Sequence, residues 1–243
     1  MTFIINALKI IFILGFLVLI HETGHFIVAR LCKVKVKEFA IGFGPTIWKK
    51  QGKETKYALR LIPLGGFVSM EGEEEPSCEE GSFSRSSIPR RIAIVAAGGL
   101  VNIIFALIVY IILMTVLTGN FERAISYTGK FAFSIIESLK ILFSGGAKVD
   151  QLMGPVGISG VVAQTSNLAE FIYILALISM SLGVTNLLPF PPLDGGKIVL
   201  LLLEGIRKKP LKESTEIKIQ MIGFMLLISL SIYVTYNDIT RIF

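Results

Sequence analysis

Of the 243 residues, 53% are apolar and 17% charged, and the mean hydropathy is +0.71. Ordinary soluble domains carry roughly 25% charged residues, so these proportions exclude a single water-soluble globule. They point to an all-α polytopic membrane protein with about four transmembrane helices. The net charge of +6 does not signal nucleic acid, because the basic residues stand in loops beside apolar runs, where membrane topology requires them. Cys32 and Cys78 lie far apart without a C-x-x-C pairing, which excludes a disulfide framework or zinc ribbon. Both are expected as reduced cytoplasmic thiols.

The first span is expected over about residues 3–31, helical by pattern and length. Lys9 and the apolar run after it imitate a signal peptide. No small-residue cleavage site follows, so the segment is read as a retained helix. Its second half contains His21-Glu22-Thr23-Gly24-His25. On a helix, His21 and His25 share one face and can hold one Zn²⁺. Glu22 stands where a carboxylate can take a proton from an attacking water. The chain has two histidines, and both are here. Such residues are costly in hydrocarbon and persist mainly where they function.

Residues 34–68 alternate in Val34-Lys35-Val36-Lys37 and Tyr57-Ala58-Leu59-Arg60-Leu61, with Gly42, Gly44, Pro45 and Gly52 supplying turns. This predicts a small β-hairpin or sheet. Its apolar content, including Phe43, Ile47 and Trp48, associates it with the membrane. The acidic stretch 71–80 reads as a solvated, mobile loop.

A second span is expected over about 92–118, where Asn102 is the one strongly polar side chain. Asn102 either bonds a neighbouring helix or faces the site. Ala96-Ala97-Gly98-Gly99 permits close helix contact. Residues of about 124–143 have the spacing of an amphipathic helix on the membrane surface, ended by Gly145-Gly146. Gly154-Pro155-Val156-Gly157 reads as a turn.

The third span, about 168–206, is interrupted near 186–196 by Pro189, Pro191, Pro192 and the paired Gly195-Gly196. Discontinuous membrane helices line cavities. Asp194 is a carboxylate in apolar surroundings that a zinc ion would compensate. A fourth span is expected over about 219–237.

Residues 30–91 carry twelve Lys and Arg, residues 118–167 carry four, and residues 207–218 carry five. The first and third loops are therefore expected in the cytoplasm and both termini outside. His21, His25 and Asp194 then converge toward the cytoplasmic side of the cell membrane.

With H-E-T-G-H on span one and N-L-L-P-F-P-P-L-D-G-G over 186–196, the chain resembles the site-2 protease family. These are intramembrane zinc metalloproteases of regulated intramembrane proteolysis. The branch that cleaves anti-sigma factors and remnant signal peptides is the most similar. Ala40-Ile41-Gly42-Phe43-Gly44-Pro45, Ile62-Pro63-Leu64-Gly65-Gly66-Phe67-Val68 and Gly154-Pro155-Val156-Gly157-Ile158 resemble it too. The resemblance implies one Zn²⁺ per chain on His21, His25 and Asp194, with Glu22 as general base. It implies that Asn186, Pro189 and Pro191 touch substrate or shape the rim, and Asn102 fits the last position of the family's G-P-x-x-N pattern. It also implies that the hairpin receives an unwound substrate strand. Partners are then single-pass transmembrane substrates and the bilayer, with no nucleic acid, and the oligomeric state is left open.

Two departures stand out. Gly99 replaces the proline of that pattern, and no PDZ domain fits between spans two and three, so the chain is either a naturally reduced member or one from which the PDZ segment was removed near Gly119-Asn120. The whole of 1–243 therefore reads as one intramembrane protease domain. The alternatives are a catalytically silent zinc-site protein that binds or regulates partners, and a metal transporter. An intact Glu22 disfavours the first. The second predicts ionisable residues in the cores of spans two and four, which have none.

Overall fold

The computed structural model describes residues 2–73, 75, 77–144 and 153–242. In chain order it contains α1 (Thr2–Leu31), β1 (Val36–Gln51), β2 (Lys56–Met70), α2 (Ile88–Thr118) and α3 (Phe121–Phe143). There follow α4 (Pro155–Ala163), α5 (Leu168–Asn186), α6 (Asp194–Arg207) and α7 (Glu213–Ile242). Four helices are long and apolar enough to cross a membrane: α1, α2, α5 and α7. The expected helical membrane architecture, with a small sheet after the first helix, is borne out.

Two boundaries differ from expectation. α2 begins at Ile88 rather than near 92 and so takes in Arg90 and Arg91. The Arg91 guanidinium is buried and forks onto both carboxylate oxygens of Glu204, a pairing that lets the charge enter the helix. α7 outruns 219–237 at both ends, with Glu213 and Glu216 in its first turn and Arg241 in its last. Those signs complement the helix dipole.

The chain divides into two compact units. One comprises Ile11–Asn102 and Leu182–Gln220. Here β1 and β2 pair antiparallel, Val36 opposite Met70 at one end and Gln51 opposite Lys56 at the other. Residues 38–41 are also paired with 56–59, so this part of β1 has partners along both edges. Val36, Val68 and Met70 point into an apolar core with Ala29, Phe83, Ile94, Val95 and Leu201. Farther along the hairpin, Ile47, Trp48 and Leu61 are exposed. Glu38 accepts from Lys56 Nζ at 2.9 Å and from Arg60 Nη2 at 3.0 Å. Burial pushes its carboxyl up, but these two cations outweigh that and hold it below the usual carboxylate range.

The stretch 71–80, expected as a solvated, mobile loop, is tied down where the structure describes it. Glu71 pairs with Lys37 at 2.8 Å, Glu73 with Lys197 at 2.6 Å and Glu79 with Lys35 at 3.5 Å. The bond to Lys37 holds the Glu71 carboxyl below its ordinary value. The backbone joins in: Glu71 N–H donates to Lys35 O, and Phe83 N–H donates to Glu71 O at 2.7 Å. Composition marked this segment as polar, but its cationic partners lie on other elements.

The other unit comprises Met1–Ile10, Ile103–Ser181 and Met221–Phe243. Asn120 caps α3 by accepting from the Arg123 N–H at 3.0 Å, which satisfies a free donor of the first turn. α3 buries Ala124 and Phe131, and Phe131 stacks on Tyr110 with 4.2 Å between ring centroids. Phe121, Ile125, Phe133 and Ile136 are exposed. The glycines expected to end this helix, 145 and 146, lie outside the described residues.

The expected turn at 154–157 is instead the start of α4. Pro155 occupies the first turn, where a missing N–H costs nothing and φ is pre-set for helix. Gly154 has no side chain to cap with; Asp238 of α7 takes that role, accepting from the Gly157 N–H at 2.8 Å. Beyond the opposite end of α4, Lys9 Nζ donates to the Thr165 carbonyl at 2.9 Å. A carboxylate at the N-terminus and an ammonium at the C-terminus both match the helix dipole.

Candidate metal centre

Helix α1 sets His21 and His25 one turn apart on one face. Their rings meet edge-on, with centroids 4.8 Å apart, and their Nε2 atoms are 3.2 Å apart. The third group arrives from the far end of the same unit. Prolines at 189, 191 and 192 stop α5 from continuing. Residues 187–193 form tight turns, in which the Phe190 N–H donates to Leu188 O and the Leu193 N–H to Phe190 O. α6 then starts at Asp194. Asp194 Oδ2 lies 3.2 Å from His21 Nε2 and 3.4 Å from His25 Nε2. One ligand atom from each of the three residues falls within 4.8 Å of the others.

The hydrogen bonds behind the rings bear on what this cluster can hold. His25 Nδ1 is 2.8 Å from the Ile94 carbonyl, an acceptor only, so Nδ1 carries the proton and the Nε2 lone pair faces the cluster. His21 Nδ1 is 3.4 Å from the side-chain amide nitrogen of buried Asn102, a contact that ties this ring to α2. Asp194 Oδ2 is buried, and the polar atoms beside it are the two Nε2 nitrogens at 3.2 and 3.4 Å. Two imidazole nitrogens and a carboxylate oxygen thus converge on one point. A buried carboxylate needs compensation, which a proton on an imidazole or a metal cation held by all three atoms supplies. Two nitrogens and one oxygen, with a further position open, suit a tetrahedral divalent ion such as Zn²⁺.

Two glycines make the space. A Cβ on Gly98 of α2 would stand 2.8 Å from His21 Nε2 and closer still to His25 Nε2. Gly66 of β2 passes beside Glu22, and a Cβ there would meet Glu22 Cγ at 3.0 Å and the Ala40 carbonyl at 2.9 Å. The sequence showed both as small residues in a helix-contact run and a resembling motif. Nothing in their spacing says that they face the histidines and Glu22.

The remaining candidates are placed as follows. Asn186 ends α5, and Pro189 is exposed in the turn after it. Pro191 lines a small cavity of about 40 Å³ together with Asp194, Lys197 and Gln220. Asn102 is brought to His21, whereas Asn186 and Pro189 share the proline-rich segment that leads to Asp194.

The profile of Peptidase family M50 matches residues 9–230. A candidate zinc metalloprotease of Clostridium acetobutylicum is 31% identical over 96% of this chain and 97% of its own length. Another, from Clostridium perfringens, is 28% identical over 92% and 95%. The zinc metalloprotease RasP of Shouchella clausii is 42% identical over 52% of this chain and 31% of its own length. The alignment with the C. acetobutylicum protein runs over 330 positions, whereas this chain has 243 residues. That relative therefore carries internal residues without a counterpart here.

Proposed function

This chain belongs to peptidase family M50, and from that premise we propose that it is an intramembrane zinc endopeptidase acting through His21, His25, Asp194 and Glu22. The family and the four apolar helices make it a multi-pass membrane peptidase, and the likeness to site-2 proteases agrees with its relatives. The observation that carries the residue assignment is the convergence of three ligand-type atoms, from His21, His25 and Asp194, within 4.8 Å.

In this reading His21 and His25 present Nε2 to the metal; the Ile94 carbonyl holds His25 in the tautomer that keeps its Nε2 free, and Asn102 contacts the His21 ring from behind. Zinc, when bound, supplies Lewis acidity toward the scissile carbonyl and the attacking water. Glu22 takes a proton from that water as its oxygen attacks the carbonyl carbon. The C–N bond then breaks, and Glu22 returns the proton to the leaving amine. Gly66 leaves the Glu22 carboxylate room beside β2.

The substrates are single-pass transmembrane proteins, with anti-sigma factors and remnant signal peptides the favoured classes. A substrate helix hides its amides, so it must unwind before its carbonyl reaches the metal, and an edge of the hairpin can receive the extended chain. Asn186, Pro189 and Pro191 border its path. The basic first and third loops place the site toward the cytoplasm and the termini outside. The relative's extra internal residues fit a PDZ domain, and the zinc chemistry proposed for this chain does not draw on one.

Incubating the detergent-purified chain with a single-pass model substrate tests the proposal. Cleavage that stops with a chelator and returns with added Zn²⁺ supports it. Cleavage indifferent to chelation contradicts it.

A further inference from the structure

Asp194 opens α6 with no side-chain cap: Leu193 is the cap residue and makes no side-chain bond to the first turn. What fixes the rotation of this helix must come from its flank. Lys197, on the same first turn, reaches Glu73 at 2.6 Å, and both side chains are largely buried. Two turns farther along, Glu204 takes the buried fork of Arg91. Between the two pairs stands the Phe83 ring, with Lys197 Nζ 5.2 Å and the Arg91 guanidinium 5.9 Å from its centroid. α6 thus presents a cation and an anion, seven residues apart on one face, to an anion and a cation held by other elements. Rotating α6 by one residue would break both pairs.

Glu73 is itself held in place. The neighbouring Glu71 bonds through its backbone to Lys35 and Phe83 and through its side chain to Lys37. The carboxylate that grips Lys197 is therefore anchored to the end of β2, the strand whose Gly66 passes beside Glu22.

We infer that Lys197, through Glu73, is a positioning residue for Asp194: the ion pair sets the rotation of the first turn of α6 and so the approach of the Asp194 carboxylate to His21 and His25. This rests on the metal reading above. Among the described residues Lys197 and Glu73 pair with each other rather than with His21, His25 or Asp194, so their effect on the ligands runs through the helix that bears Asp194; Glu73 also lies within electrostatic reach of Glu22. The same pair joins the β-strand beside Glu22 to the helix that supplies Asp194, so base and ligand are located by one connected framework.

The test is zinc affinity of the full chain, by competition with a chromophoric chelator, beside kcat, KM and thermal stability. Lys197→Met and Glu73→Gln should each weaken zinc binding by about tenfold, the lower end for groups that orient ligands, and lower kcat more than KM. Lys197→Arg and the reversed pair Glu73→Lys with Lys197→Glu should recover most of the affinity. Lys35→Ala, which breaks the exposed pair with Glu79 on the same segment, should leave it unchanged. Wild-type affinity in Lys197→Met overturns the positioning role, as does a reversed pair no better than either single reversal. A wild-type chain that takes up no zinc would instead overturn the metal reading beneath it. Should Lys197→Met fail to fold, the arginine variant and the reversed pair decide the matter alone.

Discussion

Gly98 and His21 stand so close that a single methyl group on the glycine would come within 2.8 Å of the imidazole Nε2. Helix α2 thus forms the wall of the metal cluster with bare backbone. Gly98→Ala must push both histidines or part the helices, and overpacking of this kind costs about 1–3 kcal/mol. At the ligands, that corresponds to a loss of about tenfold or more in zinc affinity. Zinc content by elemental analysis should fall while helix content by circular dichroism is kept.

Asp238 is buried and bonds the Gly157 N–H at 2.8 Å, supplying the cap that Gly154 cannot. Asp238→Ala leaves a donor at the N-terminus of α4 without its partner, at a cost of about 1–3 kcal/mol. A lowered Tm with little change in zinc affinity is expected, because Asp238 and the metal cluster belong to different units. Equal losses of both would contradict this separation.

Glu38, held below the usual carboxylate range against the opposing effect of burial, makes the hairpin acid-sensitive. A depressed folded-state value means that its contribution is present above the unfolded value of about 4.3 and is lost as the pH falls through the folded one. The emission of Trp48, the sole tryptophan and part of β1, reports on this hairpin. An acid transition below about pH 4.3 is expected in the wild type and should be diminished in Glu38→Gln.

The features legible in the sequence were those with local spacing. His21 and His25 are four apart on one helix, and the runs that became α1, α2, α5 and α7 are long and apolar. The prolines at 189, 191 and 192 announced the break before Asp194. What stayed hidden depends on partners distant in the chain. Glu73 looked solvated because Lys197 lies on another element, and Arg91 looked like a loop residue because Glu204 was not in view. Gly154-Pro155 looked like a turn because the carboxylate that caps α4 comes from α7. In each case an apparently solvated or helix-breaking residue is compensated by a charge that only the fold brings near.

The central claim is that Glu22 moves protons at a metal site built by His21, His25 and Asp194. It is tested most directly by measuring zinc content and substrate cleavage together on the wild type and Glu22→Gln. Glu22 is not among the grouped ligand atoms, so the account predicts equal zinc in both proteins and cleavage by the wild type alone. A Glu22→Gln chain that cleaves at the wild-type rate with the same zinc content would contradict it.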